Sequence, residues 1–271
     1  MRKGLSVLIP SRLQELELPS DGKSAMGPPR IMLDRAISSI RRQTILGQFN
    51  VQILVGVDEG ADVPRGLASE DVVQFVESEA RSQASSLNSA AACMRGDFVA
   101  ILEDDDEWSP EFLEYGMAAL EHCDFVSSTQ LEVSISGDVI RILDFPTPSG
   151  WLMRRKTWQS VGEFNEEYRW HLDNEWLGRL GDRDLARAHL VEATAPIDIE
   201  AIREVRPTLM RCLALGGPRV RLARHRQPYP LVRRLVHERS GMAQIRNNGA
   251  AQQESKDEYE KLIQQYGRLP W

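Results

Sequence analysis

Four consecutive acids, Glu103-Asp104-Asp105-Asp106, follow directly on the apolar run Phe98 to Leu102 and lead into Trp108-Ser109-Pro110. An apolar run of that length bounded by polar residues reads as a buried strand. Ser109 before Pro110 reads as a helix N-cap with proline at the first helical position. The acids therefore stand at the carboxyl end of a strand, the edge of an open α/β sheet at which ligands bind. Adjacent carboxylates repel one another unless solvent or a cation intervenes, and a divalent ion carrying a phosphorylated ligand would relieve them. Taken alone, the run also fits a solvated acidic turn before a helix. An EF-hand does not fit, because the sixth position lacks glycine and the loop runs straight into Ser109-Pro110.

Two further apolar runs share this habit. Leu5 to Ile9 ends at Pro10-Ser11-Arg12, and Val51 to Val57 ends at Asp58-Glu59-Gly60. Helical spacing over Ile31 to Arg42 separates the first two, and the alanine-rich stretch Ser82 to Met94 separates the second from the third. Such alternation predicts an α/β fold, Rossmann-like, with a mostly parallel central sheet flanked by helices and joined by right-handed crossovers. A short strand fits at Val72 to Val76. Leu13 to Pro29, with three prolines and two glycines, reads as a long loop that could cover a substrate. Further on, Glu111 to Leu120 reads as a helix, Phe125 to Ser134 and Val139 to Phe145 as strands joined by the turn Ser136-Gly137-Asp138, and Gln252 to Tyr266 as a polar helical tail. Beyond about Gly216 the pattern weakens.

The 271 residues, 42% hydrophobic and 27% charged, suffice for one substantial core. A formal charge of −7 argues against general nucleic-acid affinity, although the dense basic residues from Arg219 to Arg239 leave room for a local anionic contact or a solvated cationic face. Three cysteines, Cys93, Cys123 and Cys212, without metal-type spacing, are expected to be free thiols in a reducing compartment. The apolar stretch after Met1 is too short for a signal peptide and no window approaches a membrane span, so a cytoplasmic location is expected.

Taken in order, the motifs resemble those of the GT-A glycosyltransferases, in particular the second sequence family of inverting enzymes. Val7-Leu8-Ile9-Pro10-Ser11-Arg12 is similar to that family's opening strand and nucleotide loop, Ala36 to Thr44 to its first helix, and Val55-Gly56-Val57-Asp58-Glu59-Gly60 to its second strand end. Leu87-Asn88-Ser89 to Phe98 leads into the acids as the family pattern does. Gly150 to Arg155, Val161-Gly162-Glu163-Phe164 and Leu172-Asp173-Asn174-Glu175-Trp176 resemble its acceptor half. The chain departs from the pattern at Glu103, where the family usually has Asp, and at Leu87, where it usually has Arg. The resemblance implies a catalytic domain over residues 1–215, with a nucleotide-sugar half at 1–106 and an acceptor half at 107–215, followed by a C-terminal helical extension at 216–271.

It also implies roles. Asp105 aligns with the last acid of the family's DxD element and is the expected ligand of Mn2+ or Mg2+, with Glu103 and Asp104 in the ribose and metal surroundings. Pro10, Ser11, Arg12, Asp58 and Asn88 are expected around the nucleotide sugar. Asp173 is the expected catalytic base, with helix N-capping as its plain alternative and Glu175 as its competitor. His237 resembles a late histidine that completes the metal shell or contacts phosphate, with His225 and His171 as rivals. Trp151 and Trp170 flank the acceptor side, where an aromatic face stacks on a sugar, although tryptophan is equally a core residue. The implied reaction moves a sugar with inversion from a nucleotide-diphosphate donor, UDP favoured, to a hydroxyl of a glycan or small acceptor. A sugar-phosphate nucleotidyltransferase is a weaker alternative, since Pro10-Ser11-Arg12 lacks that class's glycine-rich loop. A non-catalytic nucleotide- or sugar-binding module is the third reading.

Overall fold

The computed structural model describes residues 2–14, 32–63 and 72–269. Most of the 13–29 loop lies outside these residues. In the amino-terminal half, β1 (Lys3–Ser11), β2 (Phe49–Asp58), β3 (Val73–Ser78) and β4 (Phe98–Ile101) pair in parallel, with α1 (Met32–Arg41) and α2 (Gln83–Ala92) as crossovers. β1 is buried on both faces, as a central parallel strand must be. Leu5, Val7 and Ile9 pack with Leu33, Ala36, Ile37 and Ile40 of α1, whereas Leu8 packs with Ala84, Leu87 and Ala90 of α2. The second helix lies directly on the sheet because residue 56 is glycine: a Cβ there would sit 2.0 Å from the Ser86 carbonyl oxygen.

After β5 (Glu107–Trp108) and α3 (Phe112–Leu120), the chain forms β6 (Phe125–Ser128), β7 (Gln130–Ser134) and β8 (Val139–Leu143). Then come β9 (Trp151–Arg154), α4 (Arg155–Val161), α5 (Leu172–Gly181), β10 (Arg187–Val191), α6 (Ile199–Val205), α7 (Pro207–Gly216) and β11 (Val220–Arg224). β12 (Val232–Val236), α8 (Gly241–Asn247) and α9 (Gly249–Tyr266) complete it. The large sheet has the order β11-β10-β6-β9-β4-β1-β2-β3, with only β9 antiparallel to its neighbours. A second sheet, β5-β12-β7-β8, stands apart from it.

Two expectations need correction. Ser109 does not cap a helix: its N–H donates to the Leu231 carbonyl at 2.8 Å, its carbonyl accepts from the Gln43 amide at 2.7 Å, and α3 starts only at Phe112 with Glu111 as its N-cap. The run 125–134 is two strands in two different sheets, broken at Thr129, whose hydroxyl bonds the buried Glu192 at 3.0 Å. Residues 216–271 contribute β11 to the large sheet and β12 to the second. No helix among the described residues is long and apolar enough to cross a membrane, and all three cysteines are free.

Candidate active site

Strand register brings the first contacts about. Leu8 is paired with Ile101, and three residues further along each strand lie Ser11 and Asp104. Their side chains meet, the Ser11 hydroxyl donating to Asp104 Oδ2 at 2.5 Å. Ser11 Oγ in turn accepts the Leu13 N–H at 3.0 Å, and the Arg12 main chain also bonds Asp104. Ser11 pairs with Val57, which puts Asp58 on the same carboxyl edge one strand away, beside the Gly60 turn at φ +71°. Burial, reinforced by the charge of Asp105, pushes the Asp104 carboxyl up to about 7.

Glu103 and Asp106 face the turn that precedes β9. The Ser149 hydroxyl accepts the Glu103 N–H at 3.0 Å and donates to Asp106 Oδ2 at 2.5 Å, while Gln83 donates to Glu103 Oε1 at 2.6 Å. Glutamate at 103 thus reaches across to the first turn of α2. Asp106 Oδ1 accepts the Leu235 N–H at 3.1 Å, tying the acidic loop to β12. Both carboxyls are raised above their ordinary range by burial first and by the Asp105 charge second.

β12 lies between β5 and β7, and β5 directly follows the acids, so the strand returns the C-terminal stretch to them. His237 Nε2 stands 2.9 Å from Asp105 Oδ2 with its side chain nearly buried, and its Nδ1 has no partner among the described residues. Arg234 points its guanidinium at Glu132 Oε1, 3.3 Å away. Burial opposes its charge, yet Glu103, Asp106, Glu132 and Asp105 together hold it above its usual range. The same cation acts on Asp173.

Asp173 occupies the second position of α5, after His171 as N-cap, so it is not the capping residue. Its Oδ1 accepts from the Asn174 N–H at 2.8 Å and the Asn174 side-chain amide at 3.0 Å. Burial raises its carboxyl overall, against the hydrogen bonds from Asn174. Asp173 is near enough that its charge contributes to raising Glu103, so the α5 acid and the β4 acids share one electrostatic environment, with Arg234 common to both. Its rival Glu175 is buried and held by both Nε and Nη2 of Arg179 at 2.8 Å.

Other expected residues are placed differently. Asn88 clamps the main chain of Phe164, accepting its N–H at 2.9 Å and donating to its carbonyl at 3.0 Å, which fastens the 164 segment to α2. Trp151 is 0% exposed, stacked among Phe125, Phe164 and Trp176, with Nε1 on the Pro146 carbonyl. No face of it is open to a sugar. Trp170 is half-buried against α9 and donates from Nε1 to Glu254 at 2.8 Å. Pro10 is buried in β1, whereas Arg12 is exposed at its exit. His225 is buried with neither ring nitrogen hydrogen-bonded among the described residues, and its burial lowers it to about 4; His171 faces Ser255 at 3.1 Å. The basic stretch does not form one cationic face: Arg219 pairs with Asp184 at 3.0 Å, Arg224 bonds the Pro196 carbonyl, and Arg234 turns inward.

Among the described residues no three His, Cys, Asp or Glu side chains are grouped to hold an ion by themselves. Asp105 and His237 supply two donors, one oxygen and one nitrogen, and that set fits an ion whose remaining positions are filled by oxygens of a bound diphosphate.

With this geometry in hand, the sequence signature of glycosyl transferase family 2 is found to match residues 31–175, more than half of the chain. The chain belongs to glycosyl transferase family 2. Its family 2 core is the GT-A fold. S. aureus TarS superposes with a TM-score of 0.53 at 13% identity, over 93% of this chain and 42% of that one. The 1–349 fragment of TarS in complex with UDP-GlcNAc gives 0.46 at 15% identity, over 76% and 65%. The mannosyltransferase PcManGT from Pyrobaculum calidifontis, in complex with GDP-Man and Mn2+, gives 0.45 at 15% identity, over 65% and 52%. The chain spans less than two thirds of the length of these proteins. No protein of curated function matches it.

Proposed function

We propose that this family 2 member transfers a sugar, with inversion, from a nucleotide-diphosphate donor to an acceptor hydroxyl, in a site made by the β1, β2 and β4 exits, β12 and Asp173. The observation that carries the reading is the gathering of the acidic strand end by elements far apart in sequence, Ser11 on Asp104, His237 on Asp105 and the Leu235 N–H on Asp106, with Asp173 and Arg234 acting on the same acids. Ser11, Asp58, Glu103 and Asp104 line the strand ends against which the nucleotide and its ribose would lie, and UDP is the favoured base by family resemblance. Asp105 and His237 would hold a divalent ion, Mn2+ or Mg2+, which when bound neutralises charge on the departing diphosphate.

Asp173 then acts as the base. Its two hydrogen bonds from Asn174 both fall on Oδ1, which leaves Oδ2 to take the acceptor proton. Burial keeps the carboxyl more basic than an exposed aspartate, which suits proton acceptance near neutral pH. As the acceptor oxygen bonds to the anomeric carbon, the bond from that carbon to the diphosphate oxygen breaks, and the proton ends on Asp173. One displacement inverts the centre, and no covalent enzyme intermediate forms.

The Asp173→Asn variant tests this. A positioned base contributes roughly 10²–10⁴-fold in rate. Transfer should fall by that factor while calorimetric donor affinity stays within about twofold. Wild-type turnover in the variant would refute the assignment. Release of free nucleotide from the donor by the wild-type protein separates an enzyme from a binding module.

A further inference from the structure

The segment that carries Asp173 packs against the C-terminal helices, and between them lies a groove of about 760 Å³. That volume is within the range of small-molecule sites. One wall is Arg169 and Trp170; the others are Glu238, Gln244 and Asn247 of the α8 region and Gln253, Glu254 and Asp257 of α9. All but the first wall lie beyond the residues matched by the family signature.

The groove is firmly built. Buried Glu258 of α9 accepts the main-chain N–H groups of Arg169, Trp170 and His171 at 2.8, 2.9 and 2.9 Å. Trp170 is further held by Glu254 through Nε1, and the Arg169 guanidinium sits 4.7 Å from its ring centroid. Gly178 on α5 lets the Tyr266 ring lie flush, since a Cβ there would come within 2.4 Å of it. Two lining residues are close neighbours in sequence of the residues at the reaction centre. Trp170 is three residues before Asp173, and Glu238 directly follows His237, which touches Asp105.

We infer that this groove binds the acceptor and that the acceptor is a neutral oligosaccharide; the inference rests on the transferase reading above. A sugar chain offers apolar C–H faces and hydroxyls that both donate and accept. Trp170 supplies an aromatic ring with Arg169 over it, Asn247 supplies an amide that bonds in both directions, Gln244 and Gln253, whose amide nitrogens already donate to the Arg239 carbonyl and to Asp257, supply carbonyl oxygens, and the remaining oxygens of Glu254 and Asp257 accept from hydroxyls. Glu238, Glu254 and Asp257 outnumber Arg169, so the lining is net negative and repels phosphorylated or sulfated chains.

The test uses the full chain with malto-, cello-, manno- and chito-oligosaccharides of three to six units, and sulfated counterparts, in titration calorimetry. Asn247→Trp and Gln253→Trp fill the groove from opposite walls at exposed helical positions. At least one neutral series should bind the wild-type protein, and each variant should weaken it at least about tenfold, an effect of about 1.4 kcal/mol. Hydrolysis of the nucleotide-sugar donor by water should be unchanged in both variants. The inference is overturned by the absence of binding to every neutral series, by wild-type affinity in the variants, or by tighter binding of the sulfated chains. Oligosaccharide binding that the variants abolish, in a protein that turns over no nucleotide sugar, upholds the groove and overturns the transferase reading instead.

Discussion

Replacing Arg234 by methionine removes a positive charge that acts on Glu103, Asp105, Asp106 and Asp173 while keeping much of the side chain's length. Glu132, its hydrogen-bond partner, keeps Arg141 at 2.5 Å, so the loss falls on the acid cluster. Breaking a buried ion pair from one side costs about 3–5 kcal/mol. Glu103, Asp106 and Asp173 already have raised pKa values in the folded protein. A carboxyl raised in this way binds its proton more tightly folded than unfolded, so stability falls as pH climbs from its unfolded value through its folded one. Losing Arg234 raises these groups further and extends that fall to higher pH. The variant's deficit should therefore grow as pH rises from 4 to 8 and reach about 3–5 kcal/mol at the upper end. For a chain of this length that is a drop in Tm of about 5–9 °C. Urea unfolding at pH 4 to 8 reads the difference directly. A deficit that is constant across this range, or below about 1 kcal/mol at pH 8, would refute the placement of Arg234 as the counter-charge.

Two other perturbations separate structural from chemical roles. Asn88→Ala removes both bonds to the Phe164 main chain and should cost about 1–3 kcal/mol in denaturant unfolding while leaving donor affinity unchanged in calorimetry; a weakened donor with intact stability would restore Asn88 to the nucleotide site. His189, wholly buried and bonded to Ser127 at 2.8 Å, is lowered by burial to about 3. The unfolded chain protonates this residue below about pH 6.5 and the folded one does not, so it lowers stability by up to about 1.4 kcal/mol per pH unit as pH falls from 6.5 towards 3. His189→Gln should flatten that limb, and an unaltered slope would contradict its burial in the neutral form.

Much of the fold was legible because continuous apolar runs ending in polar residues, separated by helical spacing, leave little choice of element. β1, β2 and β4, and the acids that close the last of them, follow from that pattern alone. The residue types at Ser11 and Asp104 were legible, but their contact follows only from the register between β1 and β4, which no local signal carries. The second sheet was hidden because β5 has two residues and β12 five, too short for a period, and because β12 pairs with partners more than a hundred residues away. Arg234 was therefore one arginine among many: nothing in Val232-Arg233-Arg234-Leu235-Val236 tells which guanidinium turns to the acids. Trp151 shows the converse ambiguity. A tryptophan in an acceptor-side motif serves core packing and sugar stacking equally well until its neighbours, Phe125, Phe164 and Trp176, are in place.

The proposal that the strand-end acids hold a cation-dependent nucleotide-sugar donor is tested most directly by the Tm of the wild-type protein and of Asp105→Ala across UDP-, GDP- and dTDP-sugars, each with and without Mn2+. A ligand at 100 times its Kd stabilises the native state by about 2.7 kcal/mol. For a chain of this length that is a rise of about 5 °C. At least one donor should produce that rise in the wild-type protein only when Mn2+ is present, and Asp105→Ala should lose it. No rise with any nucleotide sugar, or an equal rise in Asp105→Ala, would contradict the account.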